Sequence, residues 1–441
     1  MSTPKKTNTS AFIIVTTLFF MWGFITVLVD ALIPRLRDVF ELSYFEAGLV
    51  QFSFFMAYFL VSIPSGSLIA RIGYKKGVIV GLITMGAGCL IFFPAASLRL
   101  FPIFLLALFV LASGITILQV AANPYVAALG PSKTAASRLN LSQAFNSLGT
   151  TIAPLVSAAF ILGSSVASKA EVDAMSSIQQ EAYFATEASS VQGPFLVLAV
   201  VLIILAGIFA VFKLPKILEG DEDKGGSYFN AIKTKHLMFG ALGIFVYVGA
   251  EVTIGSYLVN YFLSLDVKTL ILDNGVMRFI AEFLSGSDLQ ELNVARLAGT
   301  FVFFYWFGAM IGRFIGSALQ LKIKPSKLLT VYALINVFLL TITILSTSYF
   351  AFWTVLSIGL FNSIMFPTIF TLSIDGLENN TAQGSGILCT AIVGGAIIPP
   401  LYGFFADAFS LQIAFIIPIL CYLYIAWYGR YLSGSKKLET I

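Results

Sequence analysis

Two acidic residues stand alone in long apolar runs: Asp30 closes the stretch that opens at Ala11, and Glu251 falls near the middle of the run 237–263. An ionised side chain at mid-bilayer costs at least ~2.5–3.5 kcal/mol on insertion scales, so an acid at depth needs a partner, a proton or a wet cavity. Asp30 shares a helical stripe with Thr26 and Trp22, at i−4 and i−8, and has Arg35 and Arg37 behind it as ion-pair alternatives. Glu251 has no basic residue within two turns of its own helix. Two carboxylates brought together repel one another and favour holding a proton. With carbonyl oxygens nearby, the same atoms suit Na+. Asp38, Asp375 and Asp407 lie near segment ends, where water solvates them.

Amides form the second pattern. Thr116, Gln119 and Asn123 recur at i, i+3 and i+7, and Gln143, Asn146 and Thr150 repeat that spacing in the next run. An amide both donates and accepts without the desolvation cost of an ion. Such residues also bind helices to one another, but two neighbouring stripes favour a polar cavity. Asn362 and Asn260 would complete its wall from the second half of the chain, and Trp22, Tyr257 and Phe366 offer flat apolar faces. Among 42 Phe and 17 Tyr, any one aromatic is more often core or lipid-facing. Catalytic chemistry is poorly represented. Cys89, Cys389 and Cys421 sit singly in apolar runs and His236 is the single histidine, so no disulfide, metal set, cofactor or nucleophile–base constellation is expected.

The elements that carry these residues are apolar throughout. Of 441 residues, 58% are hydrophobic and 11% charged, and the mean hydropathy is +0.92. A soluble domain carries about 25% charged residues, so the solvent for this chain is lipid. No Lys/Arg block points to nucleic acid. A span takes about 20 apolar residues, and twelve such segments follow one another: 11–29, 45–69, 77–98, 100–129, 140–163, 194–214, 237–263, 295–320, 327–347, 349–374, 385–407 and 410–432. The first lacks a cleavage site and is read as a retained helix.

With both termini cytoplasmic, most of the 26 Lys and Arg fall inside, among them Lys75, Lys76, Lys133, Arg138, Lys233, Lys235, Lys322, Lys324, Lys436 and Lys437. The polar connector 215–236 then divides a six-helix bundle, 1–214, from a second, 237–441. Two outer loops are long, 164–193 and 264–294, the latter holding an amphipathic piece, Val276 to Leu284, expected as a surface helix. An internal repeat supports the division. Gly66 to Lys76 has an echo in Gly312 to Lys324 at an offset of 246, Gly149 with Pro154 matches Gly395 with Pro400 at the same offset, and Asn123-Pro124 lies near the equivalent of Phe366-Pro367. Gly308, Gly312 and Gly316 make a close-packing face. Pro124, Pro154, Pro367, Pro399 and Pro400 interrupt helices and free carbonyls.

The glycine-plus-basic loop after the second run resembles the signature of the major facilitator superfamily, with Ala70 where an acid usually precedes the arginine. The segments Leu118 to Tyr125, Arg138 to Gly149, Tyr247 to Tyr257 and Phe361 to Thr371 together resemble its fucose:proton symporter family, and within it the bacterial glucose/galactose transporters. The likeness runs from the first run to the last and departs mainly in the two outer loops. It implies an all-α membrane protein of twelve transmembrane helices in two pseudo-symmetric bundles, in the bacterial inner membrane, working as a monomer. It also implies active import of a monosaccharide, with acids in the first and, in the fucose branch, fourth helices handling the proton. Asp30 matches the first position. Gln119 stands at the second, and Glu251 appears where the fucose branch has an amide. That exchange favours the glucose/galactose branch and leaves H+ and Na+ both open. Asp30 and Glu251 are then the coupling acids and the candidate Na+ ligands. Gln119, Asn123, Gln143, Asn146, Asn362 and Asn260 are the expected sugar ligands, with Trp22 and Tyr257 stacking on the ring. A fucose, other hexose or amino-sugar symporter is the alternative, followed by a multidrug:proton antiporter; a membrane-embedded enzyme is disfavoured.

Overall fold

The computed structural model describes residues 6–39, 44–98, 100–160, 174–215, 217, 226–285 and 294–434. Among them every regular element is helical. The first half runs α1 (Thr9–Val39), α2 (Tyr44–Ile72), α3 (Tyr74–Leu98), α4 (Phe101–Ala128), α5 (Ala135–Phe160) and α6 (Ser177–Val211). A short connector helix α7 (Tyr228–Ile232) leads to α8 (Lys235–Ser264), the short α9 (Val267–Leu272) and α10 (Gly275–Ser285), then α11 (Val294–Leu319) and α12 (Pro325–Leu345). The chain closes with α13 (Ser348–Asn362), α14 (Met365–Ile374), α15 (Thr381–Thr390), α16 (Gly394–Ala408), α17 (Leu411–Ala414) and α18 (Ile416–Ser433). Taking broken helices as one, the described residues hold twelve long segments. Eleven are long and apolar enough to cross a bilayer; the twelfth, α5, is the most polar, because it carries the second amide stripe. Large apolar side chains such as Val197, Ile208, Phe338 and Phe404 are exposed, which suits hydrocarbon and not water.

Three departures from the sequence reading have local causes. α6 starts well before residue 194, because Ser176 and Gln179 form a capping box and the Ala, Gln and Glu that follow are good helix formers. The tenth run is two helices. Pro367 has no N–H to give the carbonyl four residues earlier, that of Ser363, and the chain turns between α13 and α14 at that point. The eleventh run likewise passes through a 3-10 turn, Ala391–Val393, just before Gly394 and Gly395. The amphipathic piece within 264–294 is helical, as α10.

The chain packs as two units, neither of them continuous. The first comprises residues 1–130, 145–231 and 376–390; the second comprises 131–144, 232–375 and 391–441. Both the fifth and the eleventh segments change unit along their length, at 144/145 and 390/391, which are 246 residues apart, the offset of the repeat. In the first unit, α15 lies against α2 and α4, where Ser385 Oγ donates to the carbonyl of Val120 at 2.9 Å. In the second, the start of α5 meets the end of α11. Ser137 Oγ donates to the Ser317 carbonyl at 2.8 Å and Ser317 Oγ to the Ser137 carbonyl at 2.9 Å. Asn140 and Gln320 extend that contact at 2.6 Å, and Gln320 reaches Thr368 on α14 at 2.7 Å. The glycine face of α11 packs as expected: a Cβ on Gly312 would lie 2.2 Å from the Leu360 carbonyl, so no larger residue fits.

Candidate functional site

In the second unit the polar centre is built on α8. Tyr247 and Glu251 are one turn apart, and the Tyr247 hydroxyl donates to Glu251 Oε1 at 2.7 Å. From α11, the Tyr305 hydroxyl comes within 3.5 Å of the Glu251 backbone carbonyl. The Arg313 guanidinium is in electrostatic reach of Glu251, Tyr247 and Tyr305. Arg313 Nε donates to the carbonyl of Ser363 at 3.2 Å, the same carbonyl that Pro367 leaves open. Both phenols are fully buried, whereas Glu251 is half-buried.

Asn362, at the end of α13, ties this centre to two further helices. Its Nδ2 donates to the Tyr305 hydroxyl at 2.8 Å, while its Oδ1 accepts from Tyr422 on α18 at 2.7 Å and from Asn336 on α12 at 2.8 Å. With 1% of its surface exposed, Asn362 is a knot between helices. Tyr257 lies further along α8, half-buried, its ring 4.7 Å from that of Tyr402. Asn260 is exposed near the end of the same helix.

The first unit carries the other amides. Gln119 Nε2 on α4 donates to the Tyr58 hydroxyl on α2 at 2.6 Å, and Asn123 is fully buried one turn further on. Asn146 Nδ2 on α5 donates to the carbonyl of Phe19 on α1 at 2.9 Å. It can reach because glycines bring the two backbones together: a Cβ on Gly149 would be 2.3 Å from the Phe20 carbonyl, and one on Gly23 2.3 Å from that of Asn146. Trp22 is buried beside Phe19 on the same helix, with ring centroids 5.6 Å apart, and Thr26 Oγ1 donates to its carbonyl. Gln143 is buried too, but on the part of α5 that belongs to the second unit. The side chains of Asp30, Arg35 and Arg37 lie outside the described residues, although α1 runs through all three positions.

The sequence reading missed the phenols Tyr58, Tyr247, Tyr305 and Tyr422, together with Asn336 and Arg313. The phenols were hidden by number, since one tyrosine among 17 carries no signal. Tyr247 was nonetheless findable, at i−4 from Glu251. Arg313 was findable by the scarcity argument that found Glu251, because it is a cation inside the apolar run 295–320.

Among the described residues, long apolar helices bear buried amides in each unit and a half-buried acid on α8, which marks a multi-pass membrane protein. The sequence profile described as Major Facilitator Superfamily matches residues 11–392. A glucose/galactose transporter of Brucella abortus is 51% identical over 426 residues, covering 96% of this chain and 93% of that protein. The L-fucose-proton symporter of Escherichia coli is 33% identical, covering 96% and 93%. The crystal structure of FucP in the outward conformation superimposes with a TM-score of 0.86 at 32% identity, over 96% of this chain and 99% of that one. The chain belongs to the major facilitator superfamily and, within it, to the fucose:proton symporter family.

Proposed function

We propose that this protein is a sugar:proton symporter that imports a monosaccharide, glucose or galactose, by alternating access. The observation that carries the reading is the 51% identity to a glucose/galactose transporter along nearly the whole of both chains. Proton-driven import needs a titrating group. Glu251 fits that need, being half-buried and held by a phenol from its own helix, and Asp30 is the second coupling acid. The fucose:proton symporter among the relatives favours H+ over Na+. These relatives also support transport over catalysis.

Gln119, Asn123, Gln143, Asn146 and Asn260 are assigned to the sugar hydroxyls, and Trp22 and Tyr257 to the face of the ring. Asn362, whose amide is taken up by Tyr305, Tyr422 and Asn336, orients those phenols. The protein works as a monomer in the bacterial inner membrane with both termini cytoplasmic, its halves 1–214 and 237–441 joined by 215–236.

Uptake of labelled glucose, galactose and fucose into proteoliposomes, with pH and Na+ gradients imposed separately, tests the reading. An inwardly directed proton gradient should drive accumulation of glucose or galactose. Accumulation driven by neither gradient would make the protein a facilitator and overturn symport. A thermal shift with lipophilic cations and none with sugar would favour drug export instead.

A further inference from the structure

The short helix α10 carries more apolar surface than the protein covers. Its start is fixed by Asn274, whose Oδ1 accepts from the Val276 and Met277 amides at 3.0 and 3.1 Å, as an N-cap does. At about 100° per residue its side chains divide into two arcs. On the polar arc Arg278 and Glu282 form an ion pair at 2.9 Å. The other arc is apolar, from Phe279 round to Ala281, and its two flanks differ. Met277 and Ala281 are fully buried where α10 packs on α9 and α11. Val276, Phe279 and Phe283 are 67%, 67% and 77% exposed. The rings of Phe279 and Phe283 stack on each other, 6.4 Å apart, and leave their outer faces bare.

The position of α10 follows from its neighbours. Residues 265–274 join it to α8, and 286–293 join it to α11. Asp266, in the left-handed region at φ 50, turns the chain from α8 into α9, and α9 packs back on α8 and α11 with Val267 and Ile271 fully buried. Both long helices overshoot the hydrocarbon: the 30 residues of α8 and the 26 of α11 measure about 45 and 39 Å, against a core about 30 Å thick. A helix held at their shared end therefore lies at the level of the lipid headgroups. An apolar flank left bare there meets acyl chains; helices of this pattern bury that face about 5–10 Å into the headgroup boundary. The charges around it are of both signs, Asp266, Lys268, Asp273, Arg278 and Glu282, so attraction to anionic headgroups adds nothing.

We propose that α10 is an interfacial anchor, lying along the bilayer surface beside α8 and α11 with Val276, Phe279 and Phe283 inserted among the lipid chains and the Arg278–Glu282 pair facing water. The occupant of the bare flank is lipid. It is held by apolar contact, so neutral and anionic bilayers serve equally. The anchor ties one end of α8 and α11, the two helices that carry Glu251 and Tyr305, to the membrane surface.

The experiment uses the full chain in proteoliposomes, with bimane attached to Val276→Cys, Arg278→Cys, Phe279→Cys, Glu282→Cys or Phe283→Cys. Cys89, Cys389 and Cys421 are buried, and the unsubstituted chain gives the labelling background. Quenching is read with nitroxides on the lipid chains and with iodide on both sides of the bilayer. Labels in place of Val276, Phe279 and Phe283 should lose most of their emission to nitroxide and little to iodide. Labels in place of Arg278 and Glu282 should do the reverse, in phosphatidylcholine and phosphatidylglycerol vesicles alike. Iodide that reaches the first three positions as readily as the other two overturns the proposal. Protection from both quenchers also overturns it, since a second copy or another stretch of this chain then covers the flank. Nitroxide quenching confined to anionic vesicles overturns the apolar hold. If a phenylalanine variant does not fold, Val276→Cys against Arg278→Cys decides by the same contrast.

Discussion

The Tyr247 hydroxyl sits 2.7 Å from Oε1 of Glu251, one turn away on the same helix. A phenol four residues before an acid lies on the same helix face, so the contact is within reach as long as α8 stays helical. A hydrogen bond to a charged group is worth about 1.5–3 kcal/mol, so Tyr247 favours the carboxylate over the acid. Tyr247→Phe should therefore move the pH midpoint of sugar counterflow upward by about one unit, since one unit corresponds to about 1.4 kcal/mol, while leaving the maximal rate nearly intact. Counterflow measured from pH 5 to 9 checks this, and an unmoved midpoint counts against a coupling role for Glu251.

Gln119 and Tyr58 satisfy each other between α4 and α2 at 2.6 Å. In Gln119→Ala the phenol keeps its place and loses its partner, a cost of about 1–3 kcal/mol for a buried polar group. If Gln119 also holds a sugar hydroxyl, KM for glucose rises as well. Tyr58→Phe separates the two effects: it strands the Gln119 amide and should cost a similar ~1–3 kcal/mol of stability, but it leaves that amide in place for the sugar and so should leave KM within about twofold. Equal changes in KM for both variants would reduce Gln119 to helix–helix packing.

At the α1–α5 crossing, Gly149→Ala introduces a Cβ that would lie 2.3 Å from the Phe20 carbonyl. Overpacking of this kind costs about 1–3 kcal/mol, and it also pushes Asn146 away from the carbonyl of Phe19. Thermal unfolding in detergent should show a lowered Tm for Gly149→Ala, with Gly207→Ala as the control, since a Cβ there meets nothing within 4 Å.

Removing the Asn362 knot strands several groups at once. Asn362→Ala leaves the Tyr305, Tyr422 and Asn336 side chains to find new partners in a site with 1% exposure. The loss should reach about 2–5 kcal/mol, more than one hydrogen bond, and Asn362→Asp should not restore it, because a buried anion replaces the amide donor. Unfolding curves for the two variants test this, and a small loss in Asn362→Ala would return the residue to the list of simple sugar ligands.

The fold was legible because lipid makes hydrophobicity write itself as length: twelve runs were countable from their apolar stretches alone. The site was legible only where scarcity made a residue conspicuous. Glu251 could be singled out for that reason, and Gln119, Asn123 and Asn146 for their spacing. Asn362 was found as an amide, yet its burial under three partners follows from how α11, α12, α13 and α18 converge, which no local pattern encodes. Arg313 stood in plain view but was absorbed into the repeat motif beginning at Gly312. Its significance depends on a carbonyl fifty residues away that opens only because of Pro367.

The two crossing points at 144/145 and 390/391 carry a further consequence. Because residues 376–390 complete the first unit and 131–144 the second, a fragment ending before the connector lacks part of its own core, and so does the fragment that follows it. Co-expressed halves should associate by lending each other these segments, in the manner of domain-swapped partners. By the same logic, a half-length ancestor built on this repeat would have become complete only as a pair of identical chains.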